Sequence, residues 1–107
     1  MLFRSTVKEN NRQIYNSEGA AGYLIGASNG CEYVRLLLNP GGVIEKHSLQ
    51  FPVTFFVLKG NPAVIIGGAE INVSCGDLIE AEAGIERGWK NGSIAEAEVL
   101  VIKHLQI

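Results

Sequence analysis

Most of the features that would narrow a function are scarce in this chain. Its 107 residues include only two cysteines, and nine Lys and Arg stand against eleven Asp and Glu for a formal net charge of −2. With a pI near 5.6 and no cluster of Lys and Arg, there is no basic footprint for a nucleic-acid backbone and none for an anionic membrane surface. Nowhere do about 18 apolar residues run together, as a membrane-spanning helix requires. The opening stretch, Met1-Leu2-Phe3-Arg4-Ser5 followed by Lys8-Glu9-Asn10-Asn11-Arg12, forms no apolar signal-peptide core. The chain is therefore expected to be cytoplasmic. In that compartment Cys31 and Cys75 are expected as free thiols rather than a disulfide, and the acceptor patterns at Asn72-Val73-Ser74 and Asn91-Gly92-Ser93 carry no meaning for glycosylation.

What the chain does have is apolar residues in short lengths. Hydrophobic residues make up 47% and charged residues 19%, a balance far from that of disordered segments. A chain of this size buries roughly 60 to 70% of its unfolded surface and needs one core. We expect a single domain over residues 1–107, with an N-terminal strand or arm over 1–19 and a barrel core over 20–107. Segments 20–27, 31–38, 53–59, 62–66, 69–74, 77–81 and 96–105 are rich in Val, Ile, Leu, Tyr and Phe. Turn residues separate them: Ser28-Asn29-Gly30, Asn39-Pro40-Gly41-Gly42, Lys59-Gly60-Asn61-Pro62, Gly67-Gly68, Cys75-Gly76-Asp77, Ala83-Gly84 and Asn91-Gly92. Glycine allows positive φ, asparagine tolerates it and proline fixes φ at a corner. Short strands at about ten-residue spacing predict an all-β sandwich or barrel with little or no helix. The stretch from Val7 to Ser17 has few apolar residues at helical spacing, so a strand or loop is expected there. Several strands are apolar on both faces, which predicts that one outer face is covered, most simply by a second copy in a homodimer.

Two glycine frameworks then stand out. In the first, Gly41 is followed after five residues by His47, then Leu49, Val53 and a closing Gly60; in the second, Gly76 is followed by Glu82, Gly84, Arg87 and Asn91. Their order and spacing, with Pro40-Gly41, Phe56-Val57-Leu58-Lys59-Gly60, Gly76-Asp77 and Gly88-Trp89-Lys90-Asn91 around them, resemble the two motifs of small single-domain cupins. The resemblance runs from about Ala20 to the C-terminus. It implies a jelly-roll β-barrel, a double-sheet sandwich with its ligand pocket between the sheets. In that family the first motif carries His-x-His and a Glu, and the second carries a His, together holding a metal ion. This chain departs from the pattern at three of the four positions: Leu49 replaces the second His, Val53 the Glu and Arg87 the last His.

Those replacements change the expected chemistry. A divalent ion usually takes three or more N, O or S ligands from the protein. Only His47 retains a donor, and the guanidinium of Arg87 is permanently positive. No metal cofactor is expected at the family site. A displaced site combining His47 with Glu80, Glu82, Cys75 or His104 is the alternative, although Glu82 and Cys75 fall in turns. His104, at the end of the last strand, is expected to be exposed.

If Arg87 projects inward as the resemblance implies, it needs an anion. The anion is either a carboxylate of the protein, with Glu45, Glu80 and Glu86 nearest in sequence, or a carboxylate or phosphate on a ligand; the alternative is that Arg87 reaches the barrel mouth and pairs with an acidic neighbour or with water. His47 is either a hydrogen-bonded pocket residue or a general base. Strand alternation places Val53, Phe55 and Val57 on one face, with Thr54, Phe56 and Leu58 on the other. By the same count Leu49 and Trp89 join His47 and Arg87 inside. His47, Leu49, Val53, Phe55, Val57, Arg87 and Trp89 are thus the candidate ligand-binding residues, suited to a small hydrophobic or aromatic acid, or else simply to a packed core. The leading expectation is a metal-free barrel that binds a small molecule or serves as an accessory domain. The alternative is a small cupin enzyme, an isomerase or lyase or a metal-dependent oxygenase, working through His47.

Overall fold

The computed structural model describes residues 12–105. Ten strands follow one another without a helix among the described residues: β1 (Arg12–Ser17), β2 (Ala20–Ser28), β3 (Cys31–Leu38), β4 (Val43–His47), β5 (Val53–Lys59), β6 (Ala63–Ile66), β7 (Ala69–Asn72), β8 (Leu78–Ala81), β9 (Arg87–Lys90) and β10 (Ala97–His104). They form a six-stranded sheet in the order β1-β2-β3-β10-β5-β8 and a four-stranded sheet in the order β4-β9-β6-β7. This is the all-β, double-sheet barrel expected from the turn spacing. The apolar segments expected as strands appear as β2, β3, β5, β6, β7, β8 and β10. The N-terminal expectation is met over 12–17 by β1, which pairs antiparallel with β2; its portion over 7–11 lies outside the described residues. Among the described residues, no helix is long and apolar enough to cross a membrane.

The core sits between the sheets and is built from alternate residues of the central strands. Leu36 is opposite Val99, and Val34 is opposite Val101; on the other side of β10, Val99 faces Val57 and Val101 faces Phe55. All six are buried, and each such side chain contributes about 1.5–3 kcal/mol by leaving water. The second sheet closes over them with Ile44, Val64 and Trp89. The Phe55 and Trp89 rings meet edge to face, with centroids 5.2 Å apart and planes at 75°, so the two sheets touch through an aromatic pair.

The glycine frameworks have structural causes. Gly60 has φ of +85°, and a Cβ there would lie 2.8 Å from Glu96 O and 2.9 Å from the Cα of Ala97, so only glycine lets β5 turn this close to the start of β10. Gly42 passes so near Gly19 that a side chain would overlap the Gly19 carbonyl oxygen. The two motifs are also tied together: Gly41 N–H donates to Asn91 O at 2.7 Å and Asn91 N–H to Gly42 O at 2.9 Å. The Asn91 side chain, buried at 1% exposure, donates to Leu38 O (2.9 Å) and Ala95 O (2.8 Å) while accepting from Ser93 N–H (3.1 Å) and Ser93 Oγ (2.7 Å). The closing asparagine thus pins both motifs to the six-stranded sheet.

Candidate functional site

β4 and β9 carry the residues of interest, and neither stands out in the sequence as an apolar strand. They run antiparallel, with Ile44 opposite Trp89 and His47 opposite Arg87. β9 is short because it is bounded by the turn at Gly84 and by the Asn91 anchor. Within it, alternation turns Arg87 and Trp89 to the interior while Lys90 stays outside, paired with Glu70 at 2.8 Å. The interior next to them is not filled. A cavity of about 140 Å³ lies between the sheets, walled by Val34, Leu36, Val53, Phe55 and Val101 and by Ile44 and Leu49.

Six of the seven candidate residues line this cavity: His47, Leu49, Val53, Phe55, Arg87 and Trp89. Val57 does not. It shares the inward face of β5 but is fully buried, packed against Val99, so the strand runs from cavity wall into solid core between Phe55 and Val57. Ile14, Tyr15 and Lys103 also line the cavity, and the sequence does not single them out. Ile14 and Tyr15 come from β1, a strand whose polar composition, RQIYNS, hides its inner side. Lys103 follows Val99 and Val101 at two-residue spacing on β10, and that parity is the available signal.

The polar groups around the cavity are of one kind. Arg87, Lys103, Trp89, His47 and Tyr15 contribute to its wall, and among the described residues no Asp or Glu does. Arg87 is only 2% exposed, and its side chain donates from Nη1 to the Ile85 carbonyl at 3.3 Å. Burial lowers its pKa from the ordinary guanidinium value, because a low-dielectric surrounding disfavours the charged form. Of the three carboxylates expected as partners, Glu45 and Glu86 are exposed, and Glu80 accepts a hydrogen bond from Thr54 on the opposite face of the six-stranded sheet. The ion pairs among the described residues are Arg35–Glu98, Lys59–Glu96 and Lys90–Glu70, and none involves Arg87. Beside it, the buried Trp89 Nε1–H has no hydrogen-bond partner among the described residues. A buried donor left without its partner costs roughly 1–3 kcal/mol, and Trp89 lines the same cavity as Arg87, whose guanidinium no carboxylate pairs among the described residues.

His47 lies at the mouth and is exposed, not enclosed as the strand count predicts. Its Nδ1 is 3.1 Å from the Glu45 carbonyl oxygen; since a carbonyl can only accept, that nitrogen carries the hydrogen and Nε2 is left as the acceptor. The donor set does not suit a divalent ion. Leu49 and Val53 offer no donor, Arg87 repels a cation, and among the described residues no group of three or more His, Cys, Asp or Glu could hold one. The displaced alternatives are scattered: Glu80 and His104 are on the outer face with Thr54, Cys75 is bonded to Leu58 O at 3.3 Å, and Glu82 is an exposed turn residue. His104 is half-buried and hydrogen-bonded, contrary to the exposure expected for it.

The Cupin domain family model matches residues 34–103, a stretch that includes both glycine frameworks and most of the inner wall of the six-stranded sheet. The chain belongs to the cupin domain family. Solved structures superpose over nearly its full length. The TT1209 protein of Thermus thermophilus is 26% identical with a TM-score of 0.78, covering 95% of this chain and 96% of that one. A predicted oxalate decarboxylase of Thermotoga maritima is 17% identical at TM-score 0.82, covering 97% and 100%. An RmlC-like cupin of Shewanella frigidimarina is 13% identical at TM-score 0.79, covering 92% and 86%. At 17% and 13% identity the last two share the fold and carry no reaction across to this cupin. No curated protein matches the chain in sequence.

Proposed function

We propose that this cupin is a metal-free binding barrel for a small monocarboxylate with a compact apolar body, close to benzoate in size. The observation that carries the reading is that one cavity is lined by both the buried Arg87, which no carboxylate pairs among the described residues, and Trp89, whose Nε1–H has no partner among them. A carboxylate has two oxygens and about four lone-pair sites; one oxygen receives the guanidinium and the other the indole N–H. The charge that burial disfavours is thereby neutralised, and the orphan donor is satisfied in the same step. The remaining wall is aliphatic and aromatic, and a volume of about 140 Å³ matches the roughly 150 Å³ that accommodates one benzene ring. Lys103 also lines the cavity, with Glu32 as its cross-strand neighbour on β3.

Binding without chemistry is favoured over catalysis by the company His47 keeps. It is the sole imidazole among the residues lining the cavity, its Nδ1 is held by a backbone carbonyl, and among the described residues no carboxylate orients it as the second member of an acid–base pair. The degenerate metal motif then reads as a replacement of cation ligands by an anion clamp. The free state of both thiols fits a cytoplasmic setting. We further propose a homodimer through the outer face of the six-stranded sheet, where Leu100 and Leu78 flank Phe56 in register and Leu78 and Leu58 are 60% and 40% exposed.

Isothermal titration with benzoate and with benzyl alcohol tests the binding reading. Saturable one-to-one binding of benzoate, with the neutral analogue at least about tenfold weaker, is expected. Equal affinity for both, or no binding across a series of compact five- to eight-carbon acids, overturns it.

A further inference from the structure

At the end of the outer face where β10 finishes, four residues beyond the Leu100 of the proposed dimer contact, Cys31 and His104 meet with Thr54 and Glu80 beside them, four residues far apart in the chain and unconnected to the cavity. β10 lies between β3 and β5, so the end of β10 places His104 beside Cys31 on one side and near Thr54 on the other. His104 Nε2 is 2.8 Å from Thr54 Oγ1, and Thr54 Oγ1 donates to Glu80 Oε2 at 3.4 Å. A carboxylate can only accept, so the arrangement that satisfies all three contacts gives the Thr54 hydrogen to Glu80 and makes Nε2 the ring's donor to Oγ1. Nδ1 is then an unprotonated acceptor, and it faces Cys31 Sγ at 3.6 Å, within reach of a thiol hydrogen bond.

We propose that Cys31 is a modification site for small α,β-unsaturated carbonyl compounds, with His104 as the group that takes the thiol proton. The sequence Glu80–Thr54–His104–Cys31 has the base-and-orienter order that activates nucleophiles elsewhere. As the thiol proton moves to His104 Nδ1, the sulfur bonds to the β-carbon of the electrophile. The C=C π pair becomes the enolate, and the α-carbon then takes a proton back from the imidazolium. No oxidant, metal or leaving group is needed. The positive ring formed in passing is held through Thr54 by the Glu80 carboxylate, so Thr54 is a positioning residue. Cys31 is half-buried and Cys75 exposed. Exposure alone therefore ranks Cys75 as the more reactive thiol, and the geometry ranks Cys31 first, because an acceptor stands beside its sulfur to take the proton as the bond forms. This inference is independent of what the cavity binds.

The test is competitive labelling of the folded protein with substoichiometric N-ethylmaleimide at neutral pH, reading the Cys31 and Cys75 peptides by mass spectrometry. Cys31 is expected to add the reagent about tenfold faster than Cys75. His104→Ala should lower the Cys31 rate by about tenfold and leave the Cys75 rate unchanged, although it uncovers the thiol. Thr54→Val, which retains the imidazole but removes the hydroxyl that holds it, should lower the Cys31 rate by about threefold. A wild-type Cys31 no faster than Cys75 overturns the proposal. So does an unchanged or higher Cys31 rate in His104→Ala, the outcome if the ring merely shields the sulfur. Should His104→Ala fail to fold, an unchanged Cys31 rate in Thr54→Val overturns it equally.

Discussion

Replacing Arg87 with methionine should make the empty protein more stable and the ligand-saturated protein less so. Met keeps an unbranched apolar stem in the space now filled by the buried side chain, which is 2% exposed, and removes the guanidinium that no carboxylate pairs among the described residues. The loss is the hydrogen bond from Nη1 to Ile85 O at 3.3 Å, weak for its length and worth about 0.5–1.5 kcal/mol. The gain is relief from holding an uncompensated charge in an apolar wall. Replacing a buried ion pair by packed apolar side chains is neutral or returns up to about 4 kcal/mol, and Arg87 has no ion-pair partner among the described residues to lose, so a net gain of about 1–2 kcal/mol is expected. For a domain of this size that raises Tm by about 4–8 °C per kcal/mol. The wild type should answer to benzoate instead, gaining about 2.7 kcal/mol at a hundred times Kd, while Arg87→Met gains nothing. The two melting curves therefore exchange order between ligand-free buffer and saturating benzoate, as differential scanning calorimetry can follow with chloride as the control anion. A variant less stable than wild type without ligand, or one that keeps the benzoate shift, refutes the reasoning.

Two further outcomes follow from other parts of the barrel. Asn91→Asp puts a carboxylate where two carbonyls, Leu38 O and Ala95 O, now accept from the amide, and should cost about 2–4 kcal/mol at neutral pH. The folded-state pKa of that Asp is raised above its unfolded value, so its penalty shrinks as pH falls toward the ordinary carboxyl range and grows as pH rises through it; chemical denaturation in mildly acidic and in neutral buffer checks both size and sign. Leu78→Lys, at a 60%-exposed position on the outer sheet face, should convert a dimer to a monomer in light scattering without changing benzoate affinity, and a wild-type monomer would contradict the proposed assembly.

The strands legible in the sequence are those whose apolar residues face the core and whose ends are marked by turns. β3, CEYVRLLL, and β10, AEVLVIKH, announce themselves because alternate positions carry much of the inner wall. β4 and β9, VIEKH and RGWK, do not, since such short segments with several charges carry no visible period. They are strands because Asn91 and the Gly41–Gly42 backbone hold their ends and because Ile44 and Trp89 reach inward. The candidate site is legible through the cupin spacing, which puts His47 and Arg87 at matched positions, and β4–β9 pairing sets them opposite each other. The depth at which β5 passes from cavity to core depends on Val99 packing on Val57, which alternation cannot show. Nor can spacing reveal His104 beside Cys31, 73 residues away, because that contact exists only through the β3-β10-β5 order of the sheet.

The chain has a single tryptophan, so its indole N–H resonance reports on the cavity alone. In ¹⁵N-labelled protein, adding benzoate should move the Trp89 Nε1–H signal strongly downfield in proportion to site occupancy, as an unpartnered donor acquires a charged acceptor, and benzyl alcohol should not reproduce the shift. An indole resonance that stays in place while benzoate saturates the protein would contradict a carboxylate seated between Arg87 and Trp89.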